Sequence, residues 1–308
     1  MDGRRRFLEW SRAAETTRIS RDALAGAGGL IEDASMTDTA AAAIRTEGLT
    51  RAFGPQVALS NLALTVPQGA FYGFLGPNGA GKSTTINILT GLLAPGSGRA
   101  AVLGYDVVSQ AIEVKRRIGV VPDGLHLFER LSGEEHLRLC GRLYGLSSTE
   151  TARRTRELLD VMELGKDARK LIAGYSHGMR KKLALACALI HNPRLLFLDE
   201  PFEGVDAVAA GGLRELLGRL VRGGHTTVFL TSHVLDVVER LCTHVGIIDE
   251  GRLVLEGRLD DLRRDPATGA PRSLESVFVG LLGAGRAATA ELDWLGRDDD
   301  QARAGGNQ

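Results

Sequence analysis

Gly76-Pro77-Asn78-Gly79-Ala80-Gly81-Lys82-Ser83 decides the fold, because it matches G-x-x-x-x-G-K-[ST] in the setting that pattern needs. The apolar run Ala70–Leu75 enters it as a buried strand, and Thr84–Leu89 leaves it as the first turns of a helix. Glycines let backbone N–H groups close on a polyanion from several sides. The helix adds its unsatisfied N–H groups and the positive end of its dipole. A nucleoside triphosphate fits such a cradle: Lys82 would reach the β- and γ-phosphates, and the Ser83 hydroxyl would sit on Mg²⁺. The plainer reading, a glycine-rich turn with a surface lysine, does not call for these spacings between a strand and a helix. The chain is read as a nucleotide-binding α/β protein with a P-loop core.

A second run strengthens this. Leu195-Leu196-Phe197-Leu198-Asp199-Glu200 is a buried parallel strand delivering two carboxylates at its C-terminal edge, where ligands bind in open α/β sheets. Asp199 would hold the Mg²⁺ shell. Glu200, pointing differently one residue on, would polarise an attacking water as general base. Further along, Ser176 in Tyr175-Ser176-His177-Gly178-Met179 is placed as a helix N-cap, a second anion site. Arg180, Lys181 and Lys182 follow in the first turns, where positive charge opposes the helix dipole, and hint at a nearby anion. An ordinary capped helix with a solvated basic face is the competing reading.

Bulk properties narrow the class. The 308 residues are 44% hydrophobic, enough for one large core or two small ones. Lys plus Arg equals Asp plus Glu at 38 each, so no global field recruits nucleic acid. No apolar stretch approaches the length of a membrane span. Cys140, Cys187 and Cys242 lie far apart without C-x-x-C spacing and are read as small packing residues in a reducing cytoplasm, not disulfides or zinc ligands. Arg4-Arg5-Arg6-Phe7-Leu8 resembles a twin-arginine export pattern, but Ser11–Arg21 carries four charges where an apolar segment should follow, so export is not expected.

Residues 1–42 show no sustained period and read as a disordered extension, with a short helix over Phe7–Ala14 at most. Met36 offers a second start, so the first 35 residues are expected to be dispensable or not made; intact mass decides this. Residues 43–265 read as the ATPase domain. Strands are expected over Ile44–Leu49, Leu59–Val66, Ala70–Leu75, Arg99–Val102, Gly119–Val121, Leu195–Leu198, Thr226–Thr231 and Val245–Ile248. A helical insert occupies about 124–190. There Ser132 with Glu135 spaces a capping box, Gly145 is a stop, and further helices run over Ser148–Leu164 and Gly178–Ile190. Residues 266–308 read as a C-terminal extension with one short packed helix, Leu274–Phe278, and a disordered tail from Arg297.

Taken in order, these motifs resemble the ATP-binding cassette (ABC) ATPase family over roughly Ile44–Glu256. The resemblance implies a RecA-like core with an antiparallel β subdomain and an inserted helical subdomain. Tyr175–Met179 looks like the family signature, usually Leu-Ser-Gly-Gly-Gln, and matches at Ser176 and Gly178, with His177 and Met179 departing. By the same likeness Asp206 falls at the dimer-contacting aspartate, His233 at the switch histidine that touches the γ-phosphate, and Phe53 at the aromatic that stacks on adenine. Phe53 reads almost as well as a core residue. Asp123 stands where the family usually has a glutamine contacting Mg²⁺; it can still offer oxygen to a hard cation but loses the amide donor. The family pairs two cassettes head to tail, each nucleotide lying between one phosphate loop and the partner's signature helix. The resemblance therefore implies an ATP- and Mg²⁺-dependent ATPase that forms a homodimer on ATP. It would sit peripherally on the cytoplasmic face of the membrane, powering a separately encoded transmembrane permease, most like drug or lipid exporters. The alternative is a soluble ABC ATPase acting on ribosome or DNA. Against it stand a single cassette, a short insert without heptads or cysteine pairs, and no basic stripe.

Overall fold

The structure, a computed structural model, describes residues 18–19, 42–205, 207–224, 226–265 and 268–282. The first 17 residues, the Met36 start, Asp206 and the tail from Arg297 lie outside them.

The strand that enters the phosphate loop sits inside a seven-stranded sheet. Its strands, in spatial order, are β1 (Arg18–Ile19), β12 (Arg252–Arg258), β11 (His244–Asp249), β5 (Phe71–Leu75), β10 (Thr227–Ser232), β9 (Leu195–Asp199) and β8 (Ile118–Val121). From β11 to β8 every pairing is parallel; β12 and β1 close one side antiparallel. Strands buried on both faces favour near-continuous apolar runs, as in β5, Leu195–Leu198 of β9 and Val228–Leu230 of β10. Their side chains alternate between two cores. Phe71, Leu75, Leu196, Leu198, Val228 and Leu230 join one face, with most of the helices; Tyr72, Phe74, Leu195, Phe197 and Phe229 join the other, with Ile86, Ile88, Leu89 and Val114. On that second face Phe229 has Tyr72, Phe74 and Phe197 at centroid distances of 5.5, 5.4 and 5.6 Å. Such aromatic contacts add to burial.

The second face is covered by an antiparallel sheet. Its central strand β2 (Ala42–Phe53) pairs with β3 (Gln56–Leu62), β4 (Thr65–Pro67) and β6 (Ser97–Val102), and β6 pairs with β7 (Tyr105–Asp106). The β2–β3 turn places Phe53 opposite Gln56 at its tip.

Helix α1 (Lys82–Leu89) follows the phosphate loop, and α2 (Ala111–Lys115) precedes β8. Between β8 and its neighbour β9 the chain detours through α3 (Gly133–Leu143), α4 (Ser148–Val161) and α5 (His177–Leu189). The capping box forms: Ser132 N–H donates to Glu135 Oε2 at 2.8 Å, and Glu135 N–H donates to Ser132 Oγ at 3.3 Å. Helix α4 stops earlier than the sequence indicates, because Glu163 turns to φ +58° and a tight turn over Gly165–Asp167 follows. Four later helices complete the described chain: α6 (Ala207–Arg222), α7 (Leu235–Leu241), α8 (Leu259–Leu262) and α9 (Leu274–Leu282). No described helix is long and apolar enough to cross a membrane.

Candidate functional site

Parallel order brings four strand ends together. Register pairs Ser232 with Leu75, Thr231 with Asp199 and Val121 with Leu198, so the segments beyond β5, β10, β9 and β8 emerge at one edge. They carry Gly76–Ser83, His233, Glu200 and Asp123 respectively. A cleft of about 530 Å³ opens there, in the range of small-molecule sites. Of the residues singled out from the sequence, Phe53, Asn78, Gly79, Gly81, Lys82, Ser83, Thr84, Asp123, Asp199, Glu200 and His233 all line it.

The loop wraps tightly. A Cβ on Gly76 would stand 2.3 Å from Ile248 O, and one on Gly81, at φ +107°, would stand 2.6 Å from Ala58 O. Only glycine fits either position. Gly81 begins α1 without a side-chain cap, and no acid sits in the first turn, leaving its N–H groups for an anion. Pro77 and Ala80 shape the turn through Ala80 N–H to Pro77 O. Lys82, 7% exposed, donates from Nζ to Gly76 O at 2.8 Å and Pro77 O at 3.2 Å.

Glu200 adopts φ +47°, the left-handed region a side chain rarely enters. Two contacts hold it there: its N–H donates to Thr231 Oγ1 at 3.2 Å, and its carbonyl accepts from Lys181 Nζ at 2.8 Å. Oε1 lies 3.1 Å from His233 Nδ1 and 3.8 Å from Lys82 Nζ. No described group donates a well-directed hydrogen bond to this buried oxygen. Thr231 also donates to Asp199 Oδ1 at 2.6 Å, fixing the second carboxylate. Phe53 is not a core residue: it is 48% exposed, with the Arg51 guanidinium 5.0 Å above its ring.

A family model described as ABC transporter matches residues 59–203. Daunorubicin resistance ATP-binding protein DrrA3 of Streptomyces coeruleorubidus is 40% identical over 237 residues, 77% of this chain and 73% of that protein. The bacitracin transport ATP-binding protein BcrA of Bacillus licheniformis is 37% identical over 72% of this chain and 71% of its own length. This chain belongs to the ABC transporter ATP-binding family. Among solved structures, an ATP-binding subunit of an ABC transporter superposes at TM-score 0.71 with 33% identity, covering 77% of this chain and 98% of its own. A dimeric post-hydrolysis state of the cassette MJ0796, bound to ADP and Pi, superposes at 0.65 with 25% identity, covering 70% and 98%. As an ABC ATPase the chain binds ATP and hydrolyses it to ADP and phosphate. The ribosome or DNA alternative draws no support from these relatives.

The signature run stands apart from the cleft. Ser176 caps α5, accepting from Met179 N–H at 3.2 Å, and none of Ser176, His177, Gly178 and Met179 lines the space beside Lys82. Tyr175, where the ABC signature usually has leucine, is 5% exposed and donates to Asp167 O at 2.8 Å. The basic residues after it have partners within the chain. Arg180 pairs with Glu129, Lys182 with Glu163, and Lys181 donates to the carbonyls of Glu200 and Glu203. Burial lowers the Lys181 ammonium pKa, against the pull of Glu203, Asp123 and Glu200. Asp206 falls outside the described residues. Sequence reasoning missed Thr231 and the hold of Lys181 on the Glu200 carbonyl, which position the two carboxylates, and Gln56 and Glu203, which line the cleft. Thr231 was within reach: it lies opposite Asp199 once β9 and β10 are recognised as parallel neighbours.

Proposed function

We propose that this chain is the ATP-hydrolysing subunit of an exporter, peripheral on the cytoplasmic face of the membrane and docked on a separately encoded permease. Two copies would close head to tail on ATP. The observation that carries the catalytic reading is the unsatisfied Glu200 Oε1, buried between Lys82 and His233 at the mouth of the phosphate loop. Lys82 and the N–H groups of Gly79–Thr84 bind and orient the β- and γ-phosphates. Glu200 Oε1 accepts the proton of the attacking water, and His233 holds the γ-phosphate. Phe53, exposed on its hairpin, offers a face for adenine.

Mg²⁺ fits the donors present. Asp199 is 8% exposed with Thr231 engaging Oδ1, Ser83 presents an exposed hydroxyl, and Asp123 brings a further oxygen to the same cleft. When bound, the cation neutralises charge on the phosphates. Asp123 in place of the usual glutamine adds charge there and loses the amide donor. Export is supported by relatives whose names concern daunorubicin resistance and bacitracin transport.

Replacing Glu200 by Gln tests the catalytic role. Turnover should fall by about 10² or more with ATP affinity kept. An unchanged rate removes Glu200 from the base role. Co-purification of a multi-span protein from solubilised membranes tests the transport role, and its absence would count against a permease partner.

A further inference from the structure

Cys140 and Cys187, read from the sequence as separate packing residues, meet in the fold. His136 and Cys140 stand one turn apart on α3, and Cys187 reaches them from α5. One donor atom from each comes within 4.8 Å of the other two. Cys242, by contrast, is buried alone in the core, where burial pushes its thiol pKa up.

A second observation points to a ligand there. His136 is only 5% exposed, yet its Nδ1 has no hydrogen-bond partner among the described residues. A buried polar atom left unsatisfied costs about 1–3 kcal/mol, so its retention asks for a reason. Two sulfurs and one imidazole nitrogen form a donor set for a thiophilic cation; hard Mg²⁺ or Ca²⁺ would want oxygens, which this trio lacks. Zinc bonds of about 2.3 Å to sulfur and about 2.0 Å to nitrogen would require the donors to draw in by about 1 Å.

We propose that His136, Cys140 and Cys187 bind one Zn²⁺ per chain, with a fourth position for solvent, tying the inserted helix α3 to the helix that begins behind Ser176. This site shares no residue with the ATP cleft, so its test needs no nucleotide.

Full-length, fully reduced protein is titrated with Zn²⁺ against a chromophoric chelator, and with Co²⁺ for thiolate-to-metal charge transfer. One equivalent and a charge-transfer band are expected. Cys140→Ala and Cys187→Ala should each weaken uptake by about tenfold or more, while Cys242→Ala should leave it unchanged. Undiminished affinity in either of the first two variants, or no uptake by the folded wild type, overturns the site. Should those variants fold poorly, the wild type alone decides. Zn²⁺ must protect Cys140 and Cys187 from iodoacetamide in peptide mass mapping, and equal labelling with and without Zn²⁺ overturns the proposal.

Discussion

Glu200 holds a backbone conformation costing of the order of 1–3 kcal/mol, and Thr231 and Lys181 oppose its relaxation. Thr231 serves both carboxylates with one hydroxyl, donating to Asp199 and accepting from the Glu200 N–H. Thr231→Val keeps the shape of this fully buried side chain and removes both bonds. It should cost about 2 kcal/mol in urea unfolding and lower turnover about tenfold with little change in ATP affinity. Wild-type stability and rate together would show that Thr231 positions nothing. Residue types and spacing made Lys82, Ser83, Asp199 and Glu200 legible as candidates from the chain alone. They could not show Thr231 or Lys181, because a common residue gains its role only from the strand or helix laid beside it. The same limit hid the meeting of Cys140 and Cys187, 47 positions apart in sequence on two helices.

At the level of elements, the strands buried on both faces announced themselves, whereas β12 did not. Its Glu256 is 7% exposed and accepts from Tyr72 Oη and Thr65 N–H, each at 2.9 Å. A carboxylate in a core position reads as surface until its donors are known. Helix α6 was missed because Gly211, Gly212 and Gly218 interrupt its pattern. The insert's first helix was legible because its stop signal and capping box are local. That box carries a pH signature. The Ser132 backbone hydrogen bond, then the Ser132 hydroxyl, lowers the Glu135 pKa against desolvation. A lowered folded-state value means the contribution is present above the ordinary carboxylate range and is lost as pH falls through the folded value. Ser132→Ala should cost about 1 kcal/mol at neutral pH. Glu135→Ala should also be less stable than wild type there, and its deficit should narrow at about pH 3. Urea midpoints at both pH values measure this; a gap that stays constant would mean the charge on Glu135 contributes nothing.

For the whole molecule, two halves do not meet within one chain. The cleft beside Lys82 is not lined by Ser176 or the residues after it, and Ser176, which caps α5, is exposed. The proposed head-to-tail pair would supply each with its complement, and two-fold symmetry would close the assembly at two copies. The formal net charge of zero leaves little self-repulsion to oppose association. In that pair the γ-phosphate would bridge the two surfaces, so association should follow ATP and not ADP. Glu200→Gln prolongs the ATP state, and in sedimentation equilibrium with Mg·ATP this variant should double its mass, returning to one chain with ADP. Adding Ser176→Arg places a long side chain where the facing phosphate must approach. That double variant should bind ATP as a monomer, and Ser176→Arg alone should lose turnover. Full dimerisation of the double variant would mean that α5 does not complete the neighbouring site, and a single-chain mass for ATP-loaded Glu200→Gln would remove the composite site altogether.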